Sequence, residues 1–235
     1  MYKNLEIINK INHKNKYIKS VGNFLFAKEN TNAPITVAEF FSACKDYPIV
    51  FTKDSVTKDW FASVMLGIKD KKNVFIDNEG NWQEEYYIPA FFRRFPFVFA
   101  TQPNKEELIL AVDAEYLVDA EKENNKKLFK EDENSDFLNN VINFLTSYQR
   151  DMKTSTNFIQ ELDDLELLEE KAIAFTSKDG EKFNLNGFFV VNEEKLKNLD
   201  KSKKELICEK DLSALITAHL ISLSNVQKLI NKKRG

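Results

Sequence analysis

Between Pro48 and Asp113 the chain carries five short runs of β-branched and aromatic residues separated by turn-forming ones, and this rhythm constrains the fold more than any other feature. PIVF (48–51), FASVMLG (61–67), NVFID (73–77), FVFAT (97–101) and ELILAVD (107–113) are the predicted strands. Helical periodicities follow them. Phe137, Val141, Phe144, Leu145 and Tyr148 fall on one helix face behind a cap at Ser135 or Asp136. Phe158, Ile159, Leu162, Leu165 and Leu168 make a second stripe over Thr156–Leu168. A third runs over Asp211–Lys232 and includes Leu212, Ile216, His219, Leu223 and Ile230. Two further strands, KAIAFTS and FNLNGFFVV, flank Asp179-Gly180, a strong hairpin signal. Strands that come before helices and return once, without βαβ alternation, predict an α+β fold: a mixed or mainly antiparallel sheet packed against several amphipathic helices.

The finer punctuation agrees with that plan. Thr36 and Glu39 have capping-box spacing, which predicts a short helix ending before Pro48. Asp77 to Asn81 supplies the Asp, Asn and Gly of a tight connection, read as a hairpin or meander. Pro89 and Pro96 bracket AFFRRF, which places it at a sheet edge or in a bend. Residues 1–20 are expected to be a polar arm or peripheral strand, with a single domain over 21–235. Within that domain 119–136 reads as a charged, exposed linker pinned by Leu128 and Phe129, or else as a divider between two lobes.

Composition removes whole classes of function. The chain has 235 residues, 43% of them apolar, enough for a sizeable core. Its 34 Lys and Arg against 37 Asp and Glu leave no basic excess to neutralise a phosphate backbone, so nucleic acid is not the expected partner. No apolar run approaches the roughly 20 residues of a membrane span. Met1–Lys19 lacks the apolar centre of a secretory signal, and Cys44 and Cys208 can form at most one bridge; together these predict a cytoplasmic location.

Catalytic and metal motifs are sparse. His13 and His219 lack a ligand at i+3 or i+4, and the acidic turn at Asp77 fails calcium-loop spacing because its twelfth position is Ile88. There is no G-x-S-x-G elbow and no phosphate-cradling glycine loop, so neither catalytic residue nor metal nor cofactor is expected. Cys44 reads as a small buried hydrophobe and His219 as a core-facing histidine bonded to a carbonyl.

The most informative segment is WQEEYYIPAFFRRFPFVF, Trp82–Phe99, where eight of eighteen residues are aromatic and Arg93 and Arg94 stand side by side. Only four arginines occur among the 34 basic residues, so the pair departs from the composition. Arginine offers a rigid planar fork that binds carboxylates bidentately and stacks on rings. Either the pair locks an edge segment by stacking on Tyr87 or Phe95 and pairing with buried acids, or it receives an anionic group in an aromatic-walled cleft.

At these residues the chain resembles the SapC family, soluble proteins named for association with a bacterial surface-layer (S-layer) locus. The resemblance is carried by Tyr47-Pro-Ile-Val-Phe51, Gly80-x-Trp82, Tyr87-x-Pro89 with Arg93-Arg94-x-Pro96-Phe97, Leu128-Phe129, Gly187-Phe188, and Ala218-His219-Leu220-x-Ser222-Leu223-x-Asn225. It covers about residues 20–230. Asn and Lys replace the family's glycines within 124–136. A transporter permease shares the name, but it needs membrane spans that this sequence lacks. The resemblance implies no established activity. It implies a bacterial binding or accessory protein linked to S-layer biogenesis or export, acting in the cytoplasm or after secretion without a signal.

Trp82, Tyr87, Arg93, Arg94, Phe97 and His219 are accordingly the candidate binding residues, for a protein partner or a small anionic ligand. The alternative is an enzyme or enzyme partner acting on a small anionic molecule, with His219 and the two arginines lining one pocket.

Overall fold

The computed structural model describes residues 1–68, 72–101, 108–119, 122, 124–176 and 182–233. The protein is α+β, as expected, and every strand pairing among the described residues is antiparallel. A five-stranded sheet runs in the order Leu168–Thr176, Lys182–Val191, Ile49–Lys53, Trp60–Met65, Asn32–Ile35. A smaller sheet joins Leu5–Ile7, Leu108–Asp113 and Phe97–Thr101. The first residues are thus paired into this sheet, Leu5 opposite Asp113. Tyr17–Ile18 lies between Leu117–Val118 and Lys126–Lys127 in a third, short sheet. Leu128 and Phe129 are buried within the charged 119–136 stretch, beside exposed lysines.

One helix ties the two sheets together. Ser135 caps it, its hydroxyl accepting from the Leu138 N–H, and it then runs unbroken over Asp136–Asp164. Two helices were expected here; 149–155 is polar but holds neither Gly nor Pro, so nothing stops the helix between its two apolar stripes. Its first half contributes Leu138 and Leu145 to a cluster with Ile18, Phe97, Val112, Leu128 and Phe129. Its second half puts Phe158, Ile159 and Leu162 into the larger core over the five-stranded sheet, where burial of each side chain contributes about 1.5–3 kcal/mol. Thr156 Oγ1 donates to the Trp60 carbonyl and Trp60 Nε1 to Asp163, both at 3.0 Å, fixing that half to the sheet.

Three further expectations need correcting. NVFID is not a strand: Ile76 makes a single bridge to Trp82, and the Asp77 carboxylate organises the turn by accepting from the Glu79 and Asn81 N–H groups. The C-terminal helix is two helices, Ser213–Ser222 and Asn225–Lys233. Ser222 and Ser224 return their hydroxyls to the carbonyls of His219 and Ile221, and this local bonding competes with helix continuation. Helices at Glu193–Lys197 and Lys201–Glu209 were not anticipated, since their charged sequence shows little apolar periodicity. The expected Asp179-Gly180 turn lies outside the described residues, although the strands on either side pair as foreseen. Thr36 and Glu39 do form the capping box, and AFFRRF is a bend: Pro89 leads into one helical turn, Ala90–Arg93.

Candidate functional site

Glu39 positions the arginine-bearing turn. Its buried carboxylate accepts from Thr36 N–H at 2.9 Å through one oxygen, and from Ala90 N–H at 2.7 Å and the Tyr87 hydroxyl at 2.9 Å through the other. The Tyr87 hydroxyl in turn accepts from Arg93 Nη2 at 3.0 Å, while Arg93 Nε donates to the Ile88 carbonyl at 3.0 Å. Burial, reinforced by the Glu39 charge, pushes Tyr87 up to about 12, so its hydroxyl remains a donor at neutral pH.

Each guanidinium contacts two aromatic rings. Arg93 lies over Phe144 and Tyr87, 5.5 and 5.6 Å from the ring centroids, and Arg94 lies over Phe91 and Tyr148 at 4.6 and 5.2 Å. Such contacts with aromatic rings leave the in-plane N–H groups of the fork free to donate. Among the described residues neither arginine has a carboxylate within ion-pair distance. Arg94 Nε is buried with no hydrogen-bond partner. Its charge and a hydrogen bond to the Tyr2 hydroxyl oppose the rise that burial imposes on Tyr2, which still reaches about 12.

Both arginines line a cavity of about 490 Å³. Phe97 forms part of its floor, and Phe137, Val141, Phe144 and Leu145 of the long helix form a wall. Lys19 and Lys126 join Arg93 and Arg94, and no Asp or Glu is among the described lining residues. A chain of net charge −3 therefore gathers four cations around one largely apolar cavity.

The structure brings together Arg93, Arg94 and Phe97 of the candidate residues, and places the other three elsewhere. Tyr87 supports Arg93 without lining the cavity. Trp82 is buried in the larger core, its Nε1 donating to the Tyr47 hydroxyl at 3.2 Å. His219 is fully buried, stacked 4.5 Å from Phe51, and does not line the cavity of the arginines. Its Nε2 accepts from the Val191 N–H at 3.0 Å, instead of the ring donating to a carbonyl as expected. Nδ1 has no partner in hydrogen-bond geometry, and burial takes His219 down to about 4, only partly offset by the Ile49 backbone.

Sequence reasoning missed Lys19, Lys126 and the helix wall. Phe137, Val141 and Phe144 belong to a stripe that periodicity assigns to a core, yet they stay half-buried because the cavity lies against them. The two lysines are remote in sequence, and nothing local marks them. Among the described residues no group of His, Cys, Asp and Glu is arranged to hold a metal ion, and no helix is long and apolar enough to cross a membrane.

The fold and this site define an antiparallel α+β protein with a cation-lined apolar cavity. The chain belongs to the SapC family, whose model matches residues 8–229, nearly its whole length. No curated protein and no solved structure matches it.

Proposed function

We propose that this SapC-family chain is a non-enzymatic binding protein that takes a small anionic partner in the cavity beside Arg93 and Arg94. The S-layer association implied by the family name belongs to the same proposal, with the chain as an accessory to surface-protein biogenesis or export. The observation that carries it is the state of Arg94: a guanidinium that lines the cavity, contacts the Phe91 and Tyr148 rings, and has no described carboxylate to neutralise it. A structural arginine this far from open solvent ordinarily pairs with an acid, because an unpaired buried donor costs roughly 1–3 kcal/mol. A bound anion would supply the missing acceptors, and a volume of about 490 Å³ lies in the range of small-molecule pockets.

The test is a fluorescence titration with anilinonaphthalene sulfonate, an aromatic anion that brightens in apolar surroundings. Wild type should show saturable binding. Arg94→Gln should weaken it about 10- to 100-fold, the range for a lost charge-assisted hydrogen bond. Lys126→Ser alters an exposed rim residue and should weaken it less. Equal affinity in all three proteins, each with a native unfolding transition, overturns the proposal.

A further inference from the structure

We infer that the ligand of this cavity is a single-chain amphiphile, one carboxylate head on an unbranched hydrocarbon tail. The inference rests on the binding reading above and adds the ligand's chemistry. Of the sixteen described lining residues nine are apolar, four are cationic and none is acidic. An inorganic anion would leave the wall of Phe137, Val141 and Phe144 in contact with water. A neutral hydrocarbon would strip water from the arginines and offer them nothing in return. Only a molecule with both an anionic end and an apolar body satisfies the two halves together.

The head is specified by the arginine fork. Its parallel N–H groups match a planar carboxylate, which accepts two parallel N–H···O bonds in the plane of the guanidinium. Arg93 already has Nε and one Nη2 donor committed to Ile88 and Tyr87, whereas Arg94 lines the same cavity with no described carboxylate to pair it. Arg94 therefore makes the primary contact and Arg93 assists. The tail is limited by volume. At about 30 Å³ per methylene-sized group, the space one water occupies in the liquid, the cavity holds roughly a dozen to sixteen such groups. One medium-length chain fills it.

Isothermal titration with straight-chain carboxylates from octanoate to tetradecanoate, kept below micelle formation, tests this. Affinity should rise roughly fourfold per added methylene and level off near dodecanoate. Dodecanol should bind at least about tenfold more weakly than dodecanoate, and Arg94→Gln should narrow that difference several-fold. Val141→Trp, which fills the wall, should abolish binding of both while the unfolding transition persists. Vesicles of anionic phosphatidylglycerol should not co-sediment the protein. Affinity independent of chain length, equal binding of acid and alcohol, or vesicle binding without dodecanoate binding overturns the inference. If anilinonaphthalene sulfonate still depends on Arg94 in that event, the anion site stands and only the ligand class falls; if neither probe depends on it, both fall.

Discussion

The Tyr87 hydroxyl donates to the Glu39 carboxylate at 2.9 Å, and this contact connects a buried acid to the cavity. Through the same oxygen Tyr87 receives Arg93, so the Glu39 charge is felt by the arginine without touching it. Arg93 is thereby oriented and partly compensated, while Arg94, one residue on, has no such relay.

Removing that hydroxyl should show the relay's worth. Tyr87→Phe leaves an oxygen of Glu39 short of a donor and Arg93 short of an acceptor, so it should cost about 1–2 kcal/mol in urea unfolding. Glu39→Ala strands the Thr36 and Ala90 N–H groups as well and should cost more, about 2–4 kcal/mol. Equal stability of Tyr87→Phe and wild type would mean the hydroxyl carries no such role.

His219 makes stability depend on pH. Its folded value of about 4 lies below the ordinary 6.5, so between those values the unfolded chain binds the extra proton. The stabilisation is fully present above about pH 6.5 and is lost as pH falls toward 4, amounting to on the order of 3 kcal/mol. Urea midpoints measured from pH 7 to pH 4 should fall more steeply for wild type than for His219→Gln. Parallel profiles would contradict the assignment.

The His-Leu-x-Ser-Leu-x-Asn segment acts as a set of staples. His219 accepts from Val191, Ser222 Oγ accepts from Ile49 N–H at 2.9 Å, and Asn225 Nδ2 donates to the Cys44 carbonyl at 2.7 Å. Ser222→Ala leaves the buried Ile49 N–H without a partner and should cost about 1–3 kcal/mol. Anilinonaphthalene sulfonate binding should be unchanged in this variant. A loss of binding without a loss of stability would move the segment from architecture to the ligand site.

Gly67 is closed to any side chain. A Cβ there would lie 2.1 Å from the Lys72 carbonyl oxygen, a backbone atom that cannot swing aside. Gly67→Ala should therefore destabilise by about 1–3 kcal/mol, read by thermal unfolding. A transition at the wild-type temperature would show that the 67–72 connection yields freely.

Much of the architecture was legible because it rests on local chemistry. The Ser135 cap and the Thr36–Glu39 box are side-chain–backbone bonds within a few residues, and strand runs such as FVFAT announce themselves by composition. The merging of two predicted helices was not legible, since a polar stretch without Gly or Pro neither demands nor forbids a helix. NVFID misled because Phe75 and Ile76 are buried by packing in a loop, and apolar content alone does not distinguish that from a ladder. Arg93, Arg94 and Phe97 stood out by composition. Lys19, Lys126 and the half-buried face of the long helix join them only through tertiary packing, which one-dimensional periodicity does not record.

The central claim, that Arg94 receives an anion, is tested most directly by the arginine side-chain Nε–H signals in a nitrogen-edited NMR spectrum. Four arginines give four signals, and Arg93→Lys and Arg94→Lys variants assign two of them. On adding dodecanoate, the Arg94 signal should shift furthest and saturate, Arg93 should follow, and Arg150 should stay in place. Saturable dodecanoate binding with the Arg94 signal unmoved would contradict the account.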